Sequence, residues 1–140
     1  MNRQSFLKET GYALAGICLS CVACTKRNAE EMQEQVPENS LLFTINLNTQ
    51  LQATGDFLIN KNVLVVRLAN TNELSSFTAV QRDCTHAGGF LYWDPATTRF
   101  ICPVHGSEFS ATGVVLTGPA VNNLKRYKIT IENNQLLITS

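Results

Sequence analysis

Histidine is scarce in this chain: there are two, His86 and His105, among 140 residues. Cysteine is little more common, because three of the five cysteines fall within the first 24 residues and only Cys84 and Cys102 follow. All four side chains are concentrated in two short stretches. If these stretches form one site, both histidines belong to it. No further imidazole then remains to serve as the general base of a serine or cysteine hydrolase.

Charge is also sparse. Charged residues make up 16% of the chain and the formal net charge is zero, which gives no support to nucleic-acid binding. A small basic cluster at Lys125, Arg126 and Lys128 is interpreted as a solvated strand face. The hydrophobic fraction of 44% predicts a packed core, and the length suits one domain.

Long hydrophobic runs are absent, since none reaches the roughly 18 residues of a transmembrane helix. The longest, Gly11–Ala23, has thirteen residues and follows the basic residues Arg3 and Lys8. This pattern is typical of an export signal. We interpret residues 1–24 as an export segment and expect the protein at the periplasmic face of the cell envelope.

The export segment ends in a sequence that resembles a bacterial lipoprotein cleavage box. Val22-Ala23-Cys24 fits that box best, with Cys21 as the second candidate for the lipidated cysteine. The sequence therefore predicts a membrane anchor through lipid at Cys24 (or Cys21). An uncleaved apolar anchor is the alternative.

A polar tether is predicted at residues 25–40, where charged and amide side chains dominate and apolar periodicity is missing. Helical periodicity is absent throughout residues 41–140, which are predicted to form an all-β domain. Alternating or β-branched apolar segments separated by turn residues predict the following strands: Leu41–Leu47, Phe57–Ile59, Val63–Ala69, Phe77–Gln81, Phe90–Trp93, Arg99–Ile101, Glu108–Ser110, Val114–Leu116, Tyr127–Glu132 and Leu136–Thr139. Frequent short strands imply an antiparallel sandwich or barrel.

The motif that organises the chain is C-x-H at Cys84–His86, then fifteen residues, then C-x-x-H at Cys102–His105. Two thiolates and two imidazoles can form a tetrahedral structural zinc site. Zinc sites, however, usually pair like ligands two to four residues apart, whereas each motif here offers one Cys and one His. That arrangement suits a two-iron cluster in which each loop reaches both metals. Zinc remains the alternative.

The two motifs resemble those of the Rieske family. Cys84-Thr85-His86-Ala87-Gly88 matches its C-T-H-x-G box, and Cys102–Ser107 matches its C-P-x-H-G-S box. The resemblance implies a Rieske [2Fe-2S] cluster with Cys84 and Cys102 on one iron and His86 and His105 on the other. It also implies stacked antiparallel sheets with two cluster-binding loops at one tip, and it assigns Ser107 as a hydroxyl donor to a bridging sulfide.

Other positions depart from the high-potential members of that family. Gly89 and Val104 stand where those members have two cysteines that form a disulfide between the loops, and Phe109 replaces a tyrosine donor. Thr117–Ala120 resembles the third loop that packs over the cluster. Ser107 keeps one hydrogen-bond donor to the cluster, and Phe109 lacks the hydroxyl of the other. We therefore expect a midpoint potential in the lower or middle part of the Rieske range of roughly −150 to +300 mV.

The sequence thus predicts a one-electron transfer protein that serves a cytochrome or another oxidoreductase subunit. No independent catalytic site is seen in the sequence, because a mononuclear oxygenase iron would need two further histidines and a carboxylate. Two alternatives stay open: a ferredoxin-like electron donor to an oxygenase, and a non-redox Cys2His2 zinc-binding module.

Overall fold

A computed structural model describes residues 39–140 of the protein. The predicted export segment at 1–24 and residues 25–38 of the predicted tether lie outside the described residues. The described part contains ten strands and one 3-10 turn, Leu74–Ser76. The strands are β1 (Leu41–Asn46), β2 (Phe57–Asn60), β3 (Val63–Arg67), β4 (Phe77–Gln81), β5 (Tyr92–Asp94), β6 (Arg99–Ile101), β7 (Glu108–Ser110), β8 (Val115–Thr117), β9 (Lys128–Glu132) and β10 (Gln135–Thr139).

These strands form three antiparallel sheets, with the orders β1-β10-β9, β2-β3-β4 and β5-β6-β7-β8. The prediction of an all-β fold with stacked antiparallel sheets is confirmed. Every predicted strand is present, with ends that shift by at most two residues. Among residues 39–140, no helix has the length and apolar character needed to cross a bilayer.

Two ends shift by two residues: β3 was expected to reach Ala69 but ends at Arg67, and β5 was expected from Phe90 but begins at Tyr92. At β5 the reason is a different partner, because Phe90 forms an isolated bridge with Asp83 and the Leu91 amide donates to the Arg82 carbonyl oxygen at 2.9 Å. Residues 90 and 91 therefore close the base of the first ligand loop before the chain enters the sheet.

Strand β3 lies between two hydrophobic cores, and all five of its residues are buried. Leu64 and Val66 pack into the core that contains both cysteines, whereas Val63 and Val65 pack against residues of β1 and β10. A strand buried on both faces reads as a continuous apolar run, as Val63–Val66 does. The cysteine-containing core thus rests on a strand that is fixed from both sides.

Candidate metal centre

The β5–β6 hairpin brings the two predicted ligand loops to the same end of the sheet. Tyr92 pairs with Ile101 at the open end of the hairpin, so the chain leaves one loop and enters the other side by side. At the turn, Asp94 accepts hydrogen bonds from the Ala96 amide at 3.1 Å and the Thr97 hydroxyl at 2.6 Å. These bonds, the Thr97 hydroxyl first, lower the pKa of Asp94 because they stabilise its carboxylate form.

The first loop, residues 84–89, is closed by two backbone hydrogen bonds. The Cys84 amide donates to the Gly89 carbonyl oxygen at 2.7 Å, and the Gly88 amide donates back to the Cys84 carbonyl oxygen at 3.0 Å. Gly88 has a φ of 71°, a left-handed conformation that glycine adopts without a steric penalty. Its place in the motif therefore follows from the turn that the loop makes.

The second loop, residues 102–107, repeats this arrangement. The Cys102 amide donates to the Ser107 carbonyl oxygen at 2.9 Å, and the Gly106 amide donates to the Cys102 carbonyl oxygen at 2.9 Å. Gly106 has a φ of 76°. Each loop is thus a six-residue frame with a cysteine first and a left-handed glycine fifth.

A third loop, residues 117–123, ties the first two together. The Ala120 amide donates to the Ser107 hydroxyl oxygen at 3.0 Å, and the Thr85 hydroxyl donates to the Asn122 carbonyl oxygen at 2.6 Å. Because Ser107 accepts through its oxygen, its hydroxyl hydrogen remains able to donate elsewhere. The third loop therefore contacts both ligand loops, through Ala120 of the segment Thr117–Ala120 that the resemblance singled out and through Asn122 beyond it.

The two histidines meet at the exposed tip. Their Nδ1 atoms are 3.2 Å apart and their rings are edge-to-face, with centroids separated by 4.8 Å. Both side chains are exposed. The two loops thus bring the same ring nitrogen of each imidazole together.

The two cysteines lie on the inner side of the same loops. Cys84 and Cys102 are 3% and 2% exposed, both are free thiols, and both belong to the core that includes Phe100 and Phe109. Phe109, at the position where high-potential members have a tyrosine, has no exposed surface and no hydroxyl to offer. The site is therefore polarised, with sulfur donors buried and nitrogen donors exposed.

These donors fit a metal centre of mixed ligation. Metal–nitrogen bonds to histidine are about 2.0–2.1 Å, so two nitrogens on one metal lie at most about 4.2 Å apart, and the Nδ1 pair satisfies this limit. No three His, Cys, Asp or Glu side chains of residues 39–140 surround a single point. The two imidazoles form a nitrogen pair, and the two cysteines lie in one core cluster.

Two contributions to the site were not predicted from the sequence, namely the Ala120 amide and the Asn122 carbonyl oxygen that hold Ser107 and Thr85. Both are backbone groups. Every residue has such groups, so no residue type in the sequence marks them, and only the fold reveals that they face the ligand loops.

Comparison with known proteins places the chain in a family. A family model described as the Rieske [2Fe-2S] domain matches residues 42–128. The cytochrome b6-f complex iron-sulfur subunit of Chlorobaculum tepidum is 37% identical over 68 residues, covering 49% of this chain and 38% of that protein. Its counterpart in Chlorobaculum thiosulfatiphilum is 34% identical over 83 residues, covering 59% and 44%. The chain thus matches less than half the length of these curated relatives.

A solved structure agrees with the sequence comparison. The cyanobacterial plasma membrane Rieske protein from Synechocystis PCC 6803 superposes with a TM-score of 0.55 at 32% identity, covering 72% of this chain and 99% of that chain. The family model spans well over half of the chain and includes both ligand loops. The chain belongs to the Rieske [2Fe-2S] domain family and binds a Rieske-type [2Fe-2S] cluster.

Proposed function

We propose that this protein is a one-electron carrier of the cell envelope, in which Cys84 and Cys102 hold one iron of the cluster and His86 and His105 hold the other. The observation that carries the proposal is the approach of the two Nδ1 atoms to 3.2 Å at the exposed tip, on loops whose two cysteines are buried and form no disulfide. When bound, the cluster supplies reversible uptake of one electron. Replacing two thiolates by neutral imidazoles makes that electron easier to accept.

The protein's own residues determine how the electron leaves. The cysteine side of the centre is closed by the core, whereas His86 and His105 are exposed. The imidazoles are therefore the surface through which a partner makes electronic contact. Ser107 is fully buried and its oxygen accepts from the Ala120 amide, so its hydroxyl hydrogen would be free to donate to a sulfide of the bound cluster and would then favour the reduced state.

The loops of the tip itself are uncharged. The three loops, residues 84–89, 102–107 and 117–123, contain no Asp, Glu, Lys or Arg. Val104 and Val121 are 58% and 85% exposed there. The tip thus suits an apolar patch on a redox partner, and we propose a cytochrome or another oxidoreductase subunit in that role.

Location in the envelope is part of the proposal. It rests on the export pattern of residues 1–24 and on the polar tether at residues 25–40, which precedes the β domain at 41–140. Lipid at Cys24 (or Cys21) would hold the domain at the membrane while the tether lets it reach its partner. Mass spectrometry of the native protein tests this: a lipid-modified Cys at the N-terminus is expected, and an unmodified Met1 would contradict it.

Iron and acid-labile sulfide assays on anaerobically purified protein test the proposed function. Two irons and two sulfides per chain are expected, with a visible absorption band that bleaches on reduction. Zinc at one per chain in colourless protein would replace this function by the zinc-binding alternative. Cytoplasmic protein that passes electrons to an oxygenase would replace it by the ferredoxin-like alternative.

A further inference from the structure

The two ligand loops touch at a point where one of them has no side chain. A Cβ atom placed on Gly89 of the first loop would lie 2.7 Å from Val104 Cγ2 and 3.0 Å from Cys102 Sγ. Real Cβ atoms essentially never come closer than 3.0 Å to another residue. The Gly89 backbone, the Val104 side chain and the Cys102 sulfur therefore meet at one place.

Space, and not backbone conformation, explains the glycine at position 89. The left-handed glycines of the loops are Gly88 and Gly106, and neither would bring a Cβ within 4 Å of another atom. Gly89 is the reverse case, since its φ is outside the left-handed region and its Cβ would collide. The second loop thus fills the position that a side chain on the first loop would need.

Val104 is the residue that fills it. The side chain is 58% exposed, yet its Cγ2 methyl points at Gly89 and lies beside Cys102, which is 2% exposed. A half-exposed valine gains little from burial alone. Its contact with Gly89 instead joins the loops across the sulfur.

We propose that Gly89 and Val104 form a noncovalent staple that holds the two ligand loops together and keeps water from the Cys102 sulfur. Val104 is then a positioning residue for the metal centre. This inference rests on the proposed function, because it concerns the residues that hold the cluster.

The geometry of the staple is close to that of a covalent cross-link. The Cβ position of Gly89 is 3.3 Å from Val104 Cβ. In disulfides the two Cβ atoms are about 3.5–4.5 Å apart. If the two Cβ positions moved apart by a few tenths of an ångström, their distance would fall in that range. The valine methyl therefore occupies the space in which a disulfide would lie.

Four variants of the cluster-loaded protein test the staple through the rate at which iron is lost to a chelator. Val104→Ala should lose iron on the order of fourfold faster, because the free energy of the lost contact corresponds to about one buried methylene. Val104→Ile should match the wild type. Gly89→Ala should be the fastest, because its Cβ pushes the loops apart. The double variant Gly89→Ala/Val104→Ala should be slower than Gly89→Ala alone, since one of the two collisions is removed.

Val114→Ala is the matched control, because Val114 is a 47% exposed valine outside the ligand loops. It should lose iron at the wild-type rate, and in combination with Gly89→Ala it should give no rescue. The midpoint potential is a second readout: Val104→Ala should raise it, as water near the sulfur favours the more negative reduced state, and Val114→Ala should leave it unchanged.

Cross-linking tests the loop contact by a readout that needs no electron transfer. Gly89→Cys/Val104→Cys treated with oxidised glutathione should exchange to an internal disulfide, with two molecules of reduced glutathione released for each disulfide formed. Mass spectrometry would detect the loss of two hydrogens, and peptide mapping would assign the bond. The single variants Gly89→Cys and Val104→Cys should take up glutathione instead.

The outcomes separate the staple from the proposed function. If the wild-type protein contained no iron, the proposed function would be overturned. The cross-linking experiment would then still test the contact between Gly89 and Val104. Wild-type protein with a cluster, from which Val104→Ala loses iron no faster than Val114→Ala, would overturn the staple alone. Failure of the double cysteine variant to form the internal disulfide would also overturn it.

Discussion

The first and second ligand loops have the same backbone and different side chains. In each, the cysteine amide donates to the carbonyl oxygen five residues on, and the left-handed glycine amide donates back to the cysteine carbonyl oxygen. The histidine is the third residue of the first loop, at His86, and the fourth of the second, at His105. The backbone frame therefore fixes where the sulfur enters the core, and the histidine position varies within it.

The other equivalent positions of the two six-residue loops hold different residues with different contacts. The third residue is His86 in one loop and Val104 in the other, and the sixth is Gly89 in one and Ser107 in the other. Val104 packs against Gly89, whereas Ser107 bonds to the third loop. One frame used twice thus supplies four donors, one contact between the loops and, from each loop, one hydrogen bond to the third loop.

The largest effect on cluster binding is expected when either cysteine is replaced. Cys84→Ser and Cys102→Ser should each reduce cluster binding by more than about 100-fold, because loss of a ligand exceeds the 10–100-fold effect of its supporting partners. Iron content and visible absorbance measure the loss. Circular dichroism should still report a folded β domain. Retention of iron by only one of the two variants would contradict the equivalent roles of the loops.

The ties to the third loop should differ between the loops. Ser107→Ala leaves the Ala120 amide without its acceptor at a buried site, at a cost of about 1–3 kcal/mol, and should also lower the midpoint potential. Thr85→Val removes an exposed hydrogen bond worth about 0.5–1.5 kcal/mol. Chemical denaturation and redox titration measure the two effects. A larger loss of stability for Thr85→Val would reverse this ranking.

Gly88 and Gly106 test whether the two loops have equivalent backbones, because each is the fifth residue of its loop. Gly88→Ala and Gly106→Ala have open space for a Cβ, so each should cost only the left-handed backbone penalty of about 1–2 kcal/mol. The free energy of unfolding measures this. Gly118→Ala is the control, since its φ is outside the left-handed region and its Cβ would meet nothing within 3.8 Å. Unequal costs at 88 and 106 would show that the frames differ.

The smallest effect is expected at the turn of the hairpin. The pKa of Asp94 is lowered by its bonds to Thr97 and Ala96. A carboxyl with a lower pKa in the folded state stabilises the protein above its ordinary pKa of about 4, and this contribution disappears as the pH falls through the folded-state value. Asp94→Asn should therefore lower the denaturation midpoint slightly at neutral pH and have no effect in strong acid. The same deficit at both pH values would contradict this assignment.

The sequence predicted the strands and the convergence of the ligand motifs because both follow from local rules. Alternating apolar residues predict strands, and a turn at Asp94–Thr97 between two of them brings Cys84 and Cys102 to one end. The resemblance placed positions 89 and 104 side by side, since related proteins have a disulfide there. The packing of the Val104 methyl against Gly89 was not predicted. It depends on how closely the two loops approach, which is decided by packing of residues far apart in the chain. The Leu74–Ser76 turn was missed because three residues are too few for a helical period.

Isotope labelling of histidine tests the central assignment most directly, because His86 and His105 are the only histidines in the chain. Pulsed electron paramagnetic resonance of the reduced protein, grown with ¹⁵N-histidine, would report nitrogen bound to the paramagnetic centre. The account predicts strong coupling to two inequivalent ¹⁵N nuclei, one of which disappears in any single-histidine variant that keeps iron. A reduced iron–sulfur signal without coupling to labelled nitrogen would contradict it.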